Sequence, residues 1–367
     1  MRERHPDVVV VGGGLVGLAI AHGLLRQKLR VTVCDEGDRD FRASRGNFGL
    51  VWVQGKGVNS PPYARLTSHS ARLWPDYARQ LQRDSGIDPG HTRRGGLSLC
   101  LEIDELAEKS AAMAALKAHT PGFDYEVLDA AGVRRFLPGA SPDIAGGIYS
   151  PQDGHVNPLQ TLHALLAAFE ALGGTYLPRC RVDDVSHRAG AFSLTTSGPT
   201  LQTARIVLAA GLGNARLAPL VGLYAPVLPV RGQVMITERV APFLPYPTTS
   251  VRQTTEGTVQ IGDSQERVGL DDGTLPEVLV NMARRAIALF PLLRSAQVVR
   301  TWGALRIMTP DGLPLYEESR SHPGAFVATC HSGVTLAAAH SELIAPWIAG
   351  NDAPTLLETF DGARFAL

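Results

Sequence analysis

An α/β fold is predicted by three observations. A four-valine run, Val8 to Val11, meets three glycines directly. A second apolar strand, "RVTVCDEG", ends in two acids about twenty residues later, the spacing of a dinucleotide-binding unit. Further on, runs such as "GLSLCLEI", "RGQVMITE" and "GTVQIGDS" alternate in character and are bounded by Gly, Pro and Asp. The first two observations describe a parallel sheet covered on both faces, the third an antiparallel one. The expected architecture is a parallel-sheet domain assembled from three stretches of chain, with an α+β domain on an antiparallel sheet interleaved between them.

The valine run is short, continuous and apolar, as a strand buried on both faces must be. Gly12, Gly14 and Gly17 give the GxGxxG spacing of a Rossmann-like unit: a tight turn, a close backbone approach to a pyrophosphate, and room for helix to pack on strand. The helix that opens at Leu15 and Val16 points its first N–H groups at those phosphates. Asp35 and Glu36 stand where an acid bonds an adenosine ribose, and an acid there disfavours a phosphorylated ribose. The segment "RDFRASRGNFGLVWVQGKG" separates FAD from NAD, because it is a loop where a nicotinamide enzyme would run into more βα units. Ser44, Arg45 and Asn47 can donate to phosphates, Gly46 and Gly49 allow a close backbone approach, and Leu50 is a further candidate contact where the loop lies along an extended FAD. An amphipathic helix follows, with Leu66, Leu73, Trp74, Tyr77 and Leu81 on one face.

A chain of 367 residues with 44% apolar residues and 38 glycines suits two globular domains. The FAD-binding domain is expected from residues 1–85, 155–225 and 301–367. The substrate domain is expected from 86–154 and 226–300, as one antiparallel sheet roofing the flavin, with helices around 104–118 and 276–290. Lys plus Arg and Asp plus Glu are 35 each, so no overall field draws nucleic acid or acidic lipid. Cys34, Cys100, Cys180 and Cys330 are too scattered for a zinc, iron–sulfur or CxxC site, and no metal site or Ser-His-Asp set is visible. Any iron–sulfur cluster would therefore belong to another chain. Without a leader or a membrane-spanning run, a cytoplasmic location is expected.

Several segments occur in the order and spacing of one family. They are "PQDGHVNPLQ", with Asn157 as N-cap before Pro158; "CRVDDV" around Val182; "RIVLAAGLGN", ending at Ala210 and Gly211; "PVRGQ"; "WGALRIMTPDGLPL"; and "FVATCHSGVTLAAAHSELIAPWIAG". In these the chain resembles the glycine oxidase/D-amino-acid oxidase family of flavoproteins. The resemblance implies FAD, with the Val182 main chain at the adenine. It places the amides of Gly333, Val334 and Thr335 at the pyrimidine end of the flavin, in a last helix starting near Val334. It gives Arg306 the substrate's α-carboxylate, a role that suits a planar two-pronged donor. From the residues alone, Arg306 could instead tie down the following turn through Asp311. The chain departs from the family at Cys330, where a glycine is usual, and in a shortened His331-Ser332-Gly333 loop that lacks a second substrate-binding arginine. His331 either lines the pocket or is held by a carbonyl. His22 is expected to be packed or solvated and Lys56 to be a solvated loop lysine. Tyr63, Tyr246 and Arg252 are secondary candidates for the substrate.

The implied reaction is oxidation of an amino-acid C–N bond, with the Cα hydride passing to flavin N5 and Arg306 supplying orientation. Within the family, "RGNFGLVWVQGKG" and "CHSGVTLAAAH" are most similar to flavoprotein subunits of hydroxyproline dehydrogenases and opine oxidases, with hydrogen cyanide synthase subunits nearby. The leading expectation is a D-amino acid or secondary amino acid dehydrogenase acting on cis-4-hydroxy-D-proline or D-proline. It would pass electrons to an iron–sulfur/flavin partner subunit or another acceptor. The alternatives are an opine oxidase subunit and a glycine- or sarcosine-type oxidase that uses O₂. A flavoprotein modifying nucleic-acid bases would need a basic groove, of which the neutral charge gives no sign. An electron-relay subunit without its own substrate is a further alternative.

Overall fold

Strand β1 (Val8–Val11) has no solvent-facing side. Val8 and Val10 join one apolar cluster, while Val9 and Val11 join another. Side chains alternate across a strand, so four consecutive valines stay dry only where both faces are covered. The computed structural model describes residues 5–37, 43–262 and 264–365. The charged start at residues 1–4 and residues 38–42 of the loop after the acids lie outside the described residues.

β1 pairs in parallel with β2 (Val31–Cys34) on one side and β12 (Arg205–Leu208) on the other. The six-stranded sheet is completed by β8 (Thr175–Leu177), β17 (Leu315–Glu318) and β18 (Ala325–Thr329), in the order β17-β18-β12-β1-β2-β8, with β17 antiparallel to β18. The chain leaves β1 for one neighbour and returns on the other side. The C-terminal end of β1 is therefore a switch point, where open α/β sheets bind ligands. Helix α1 (Leu15–Arg26) covers one face, packed against α4 (Pro158–Ala171) and α6 (Gly333–Ala339). Asn157 caps α4 as expected, its Oδ1 accepting the Gln160 N–H at 3.1 Å ahead of Pro158. The long helix α2 (Pro61–Ser85) buries Leu66, Trp74, Tyr77 and Leu81, and leaves Leu73 half-buried.

The expected single antiparallel sheet is instead two. One has the order β14 (Val251–Gln253), β15 (Thr258–Ile261), β13 (Leu228–Arg239), β16 (Val298–Met308). The other has the order β4 (Gly96–Cys100), β6 (Gly146–Ser150), β5 (Glu126–Leu128). They share a core containing Leu97, Leu128, Met235 and Val251, and meet at a parallel bridge between Leu97 and Thr248. There the Leu97 N–H donates to Pro247 O at 3.0 Å. Pro245 and Pro247 have no N–H with which to extend the ladder on that side, so the sheets touch without merging. Helices α3 (Ile103–His119) and α5 (Pro276–Leu289) lie where the sequence places them. Strand β16 runs straight through the expected domain border at 300/301, so Arg306 stands on the antiparallel sheet.

A short pair, β3 (Leu50–Val51) with β7 (Gly154–His155), and a three-stranded sheet of β9 (Val182–Arg188), β10 (Ala191–Thr196) and β11 (Leu201–Thr203) complete the strands described. Among the described residues no helix is long and apolar enough to cross a membrane.

Candidate functional site

After Val11 the chain turns through Gly12 at φ +111°, a conformation that only glycine adopts without strain. A Cβ on Gly12 would run into Ala209 O, and one on Gly17 would run into Gly12 O and lift α1 off the turn. On Gly14 it would lie 2.7 Å from Ser44 Oγ. The result is a cradle of bare backbone. The Gly13 N–H donates to Asp35 Oδ2 at 2.6 Å and the Leu15 N–H to Ser44 Oγ at 3.0 Å. Asp35 Oδ1 also accepts the Gly37 N–H at 2.9 Å. Of the two acids, the structure brings Asp35 to the glycine turn; Glu36 is exposed, in the field of Arg181. Tyr176, which the sequence did not single out, packs against Gly13. At the end of β12 the Ala210 N–H donates to Asn214 Oδ1 at 2.9 Å, and Gly211 turns at φ +58°. Val182 is buried and its carbonyl accepts Arg216 Nη2 at 2.7 Å.

Asn47 was expected to donate to a phosphate. It instead braces its own loop, Nδ2 donating to Ser44 O at 2.8 Å and Oδ1 accepting the Gly49 N–H at 2.9 Å. An Asx side chain bonds its own turn in this way wherever the backbone offers groups within reach. Arg45 is exposed. Thr335 Oγ1 donates to Leu50 O at 3.3 Å and accepts the Trp52 N–H at 3.1 Å, tying segments almost 300 residues apart. Trp74 Nε1 on α2 donates to Val334 O at 3.0 Å, and Ser70 Oγ to Thr335 O at 2.7 Å. A Cβ on Gly333 would lie 3.6 Å from Val16 Cγ2. The glycine turn, Ser44, Leu50–Trp52 and Gly333–Thr335 therefore converge at the C-terminal end of β1.

Arg306 pairs with Val230 in the β13–β16 ladder, and its guanidinium lies flat on Gly232, where a Cβ would overlap Nη1, Cζ and Nη2. Nη1 donates to Ser264 O at 2.6 Å and to Arg231 O at 3.3 Å. Asp311, the alternative partner, ion-pairs with Arg364 Nε at 2.7 Å instead. His331 is half-buried beside two cations. Burial first, then the charges of Lys56 and Arg306, push its pKa down to about 3, so the imidazole is neutral near pH 7. Lys56 is half-buried rather than solvated, and its charge also bears on Cys330. Burial pushes the Cys330 thiol up to about 12, which leaves it a poor nucleophile. Arg306, Lys56 and His331 thus come from three distant stretches to share one electrostatic neighbourhood.

The secondary candidates separate. Tyr63 reaches the same loop, its hydroxyl 2.8 Å from Ser332 Oγ. Tyr246 packs in an aromatic group, its ring 5.5 Å from Phe136 and 6.2 Å from Tyr149. Arg252 is buried and bonded to Gln260 Oε1 at 2.6 Å, and Gln260 Nε2 donates to Asn47 O at 3.3 Å. It supports the 44–50 loop. His22 is buried against Asp84 at 2.8 Å. The sequence reading missed Arg231, a buried cation ion-paired to Glu266 and Asp271 at 2.6 Å each, which fastens the segment carrying Ser264 onto β13. It also missed Gly232, although a glycine inside the strand-like run "PVRGQV" is itself a signal of close approach. Among the described residues no group of His, Cys, Asp and Glu could hold a metal ion.

A family profile described as FAD dependent oxidoreductase (DAO) matches residues 7–347. The chain is 42% identical over 361 residues to an opine oxidase subunit from Agrobacterium tumefaciens (strain Ach5), covering 98% of this chain and 97% of that one. It is 28% identical over 378 residues to the glycine oxidase of Geobacillus kaustophilus (strain HTA426), covering 98% of this chain and 96% of that one. The crystal structure of glycine oxidase from Geobacillus kaustophilus is similar with a TM-score of 0.90, at 27% identity, over 99% of each chain.

Proposed function

We propose, from the premise that the chain belongs to the DAO family of FAD-dependent oxidoreductases, that this amino-acid oxidoreductase oxidises the C–N bond of a secondary amino acid and passes the electrons to a partner subunit. The observation that carries the reading is the Arg306 guanidinium laid flat on Gly232, in one neighbourhood with a neutral His331 and a second cation, Lys56.

FAD fits the residues present, because the turn at Gly12, Gly14 and Gly17 is a cradle that side chains would fill. The residues proposed to hold it are that turn with Leu15 and Val16, Asp35, the Ser44–Leu50 loop, Val182, Ala210 and Gly211, and Gly333 to Thr335. When bound, the flavin supplies a two-electron acceptor for the hydride leaving Cα. The chain itself supplies orientation. Arg306, with Nη1 anchored on Ser264 O and Arg231 O, holds the α-carboxylate as an oriented cation, fixing the Cα–H direction. His331, uncharged, presents a hydrogen-bonding edge without adding a third positive charge. The amine loses its proton to water, so a side-chain base is not required.

Cis-4-hydroxy-D-proline and D-proline are the substrates that the sequence suggested first. The likeness to the Agrobacterium tumefaciens opine oxidase chain moves an opine ahead of them, and two cations beside one imidazole suit a secondary amine that bridges two carboxylates. That relative is one subunit of its enzyme, which supports a separate electron-accepting partner. A second reading, a glycine-type oxidase reducing O₂ directly, is favoured by the likeness to the Geobacillus kaustophilus glycine oxidase.

The test is an anaerobic screen of the yellow protein against opines, D-proline, hydroxyproline isomers, glycine and sarcosine, followed at the flavin absorbance. Bleaching by a secondary amino acid, with dye reduction far exceeding peroxide formation in air, is expected. Bleaching by glycine with stoichiometric peroxide would favour the second reading. A flavin that no amino acid reduces would overturn both.

A further inference from the structure

Behind the turn that carries Lys56 stands a carboxylate, Asp153, that is 0% exposed. Its Oδ1 accepts the Val53 N–H at 2.5 Å and the Gln54 N–H at 3.4 Å, and its Oδ2 accepts Gln54 Nε2 at 2.7 Å. Gln54 Nε2 also donates to Gly96 O at 3.2 Å, which fastens the turn to β4. The Lys56 N–H closes the turn on Val53 O at 3.0 Å. On the far side, Gly57 at φ +73° is pressed on the start of α2, where a Cβ would run into Ala64 N. The turn is wedged between Asp153 and α2, and the lysine it carries bears on His331 and Cys330.

We propose that Asp153 is a positioning residue for the oxidation: by gripping Val53 and Gln54 it sets where Lys56 stands relative to His331 and Arg306. An ionised carboxylate, which only accepts, satisfies all three converging N–H donors at once. An amide of the same shape would turn an NH₂ toward one of them. The charge is held at a cost, since burial pushes the Asp153 pKa up to about 7 against the opposing pull of the N–H bonds and of Arg93. Among the described residues, Arg93 and, on β6, Tyr149 are ionisable groups that feel this carboxyl. A rigid anchor matters here because displacing a charged group by about 1 Å can cost a hundredfold in rate.

The proposal rests on the reading of Arg306 and His331 as the substrate wall, so its test must separate the two. Asp153→Asn, Lys56→Met and the double variant are compared as FAD-loaded proteins, with Arg306→Ala alongside. Two readouts are taken: the limiting rate of anaerobic flavin reduction, and the affinity for sulfite, which bleaches flavin more tightly where positive charge is near. Each single variant is expected to slow reduction by roughly tenfold to a hundredfold and to weaken sulfite binding, while the double variant is no worse than Lys56→Met. A dependence of the wild-type limiting rate on pH near 7 is expected to vanish in Asp153→Asn. Effects that multiply in the double variant, or an Asp153→Asn protein that behaves as wild type, would overturn the role of Asp153. If Arg306→Ala also reduces normally, the substrate wall itself is wrong. Should Asp153→Asn fail to accumulate as yellow protein, Gln54→Met removes the Nε2 bond, and the same non-multiplying pattern with Lys56→Met is required.

Discussion

Replacing Gly232 with alanine would put a methyl group where the Arg306 guanidinium lies, while leaving the arginine in the chain. The variant is expected to retain flavin and to raise KM for the amino acid, less steeply than Arg306→Ala does; steady-state kinetics with the best substrate of the screen checks this. A KM unchanged in Gly232→Ala would show that the observed guanidinium pose is not the one that binds. His331 gives a contrasting expectation. Because it stays neutral down to about pH 3, His331→Asn should leave the pH dependence of kcat/KM between pH 5 and 8 unaltered, whatever it does to the absolute rate. Arg306 was legible through the family resemblance of "WGALRIMTPDGLPL", because the residues alone left it able to tie down the following turn through Asp311 instead. Lys56 was not, since "QGKG" reads as any exposed loop, and only the fold brings it beside residue 331. Asp153 was hidden for the same reason: nothing in "PQDGHVNP" shows that its partner N–H groups lie about a hundred residues earlier.

At the scale of elements, the β1–turn–α1 unit is the part the sequence specifies most fully, since Gly12 and Gly17 press on backbone and Gly14 on the Ser44 hydroxyl, leaving none of the three room for a side chain. Gly17→Ala should therefore yield protein with little or no bound flavin, read as the ratio of flavin to protein absorbance, with lowered thermal stability. Full flavin occupancy would separate the turn from the cofactor. Thr335→Val tests the tie between α6 and the Leu50–Trp52 segment. It removes two bonds, with an expected loss of roughly 1–3 kcal/mol in stability by denaturant titration. The two antiparallel sheets could not be told from one, because alternation identifies a strand but not its neighbour. The border at 300/301 failed for a related reason. Burial along β16 follows no two-residue alternation, so nothing in its pattern marks where the strand belongs.

Across the described residues of the whole molecule, burial lowers the pKa of His22 and His69. It holds four further histidines neutral far below their usual range: His91 with a pKa pushed down to about 4, and His155, His331 and His340 to about 3. Each takes a proton near pH 6.5 once unfolded. Their stabilising effect is thus complete above that pH and is lost as pH falls toward 3, at about 1.4 kcal/mol per pH unit for each. Asp153 works oppositely. Its raised pKa makes its contribution largest below the unfolded value of 3.8 and smaller as pH rises to about 7. Four groups outweigh one, so the melting temperature should fall on acidification from pH 7 to 5; a flat or rising trend would contradict the burial of these imidazoles. The balanced charge of the chain, 35 basic against 35 acidic residues, leaves no strong global self-repulsion to mask the effect.

The most direct measurement is anaerobic rapid mixing of wild-type and Arg306→Ala protein, both fully flavin-loaded, with the amino acid that bleaches the wild type. Flavin reduction is followed against substrate concentration. Loss of the carboxylate grip should weaken apparent substrate binding by about 3 kcal/mol, roughly a hundredfold, with flavin content unchanged. Reduction of Arg306→Ala with wild-type affinity and rate would contradict the assignment of this wall as the place where the amino acid binds.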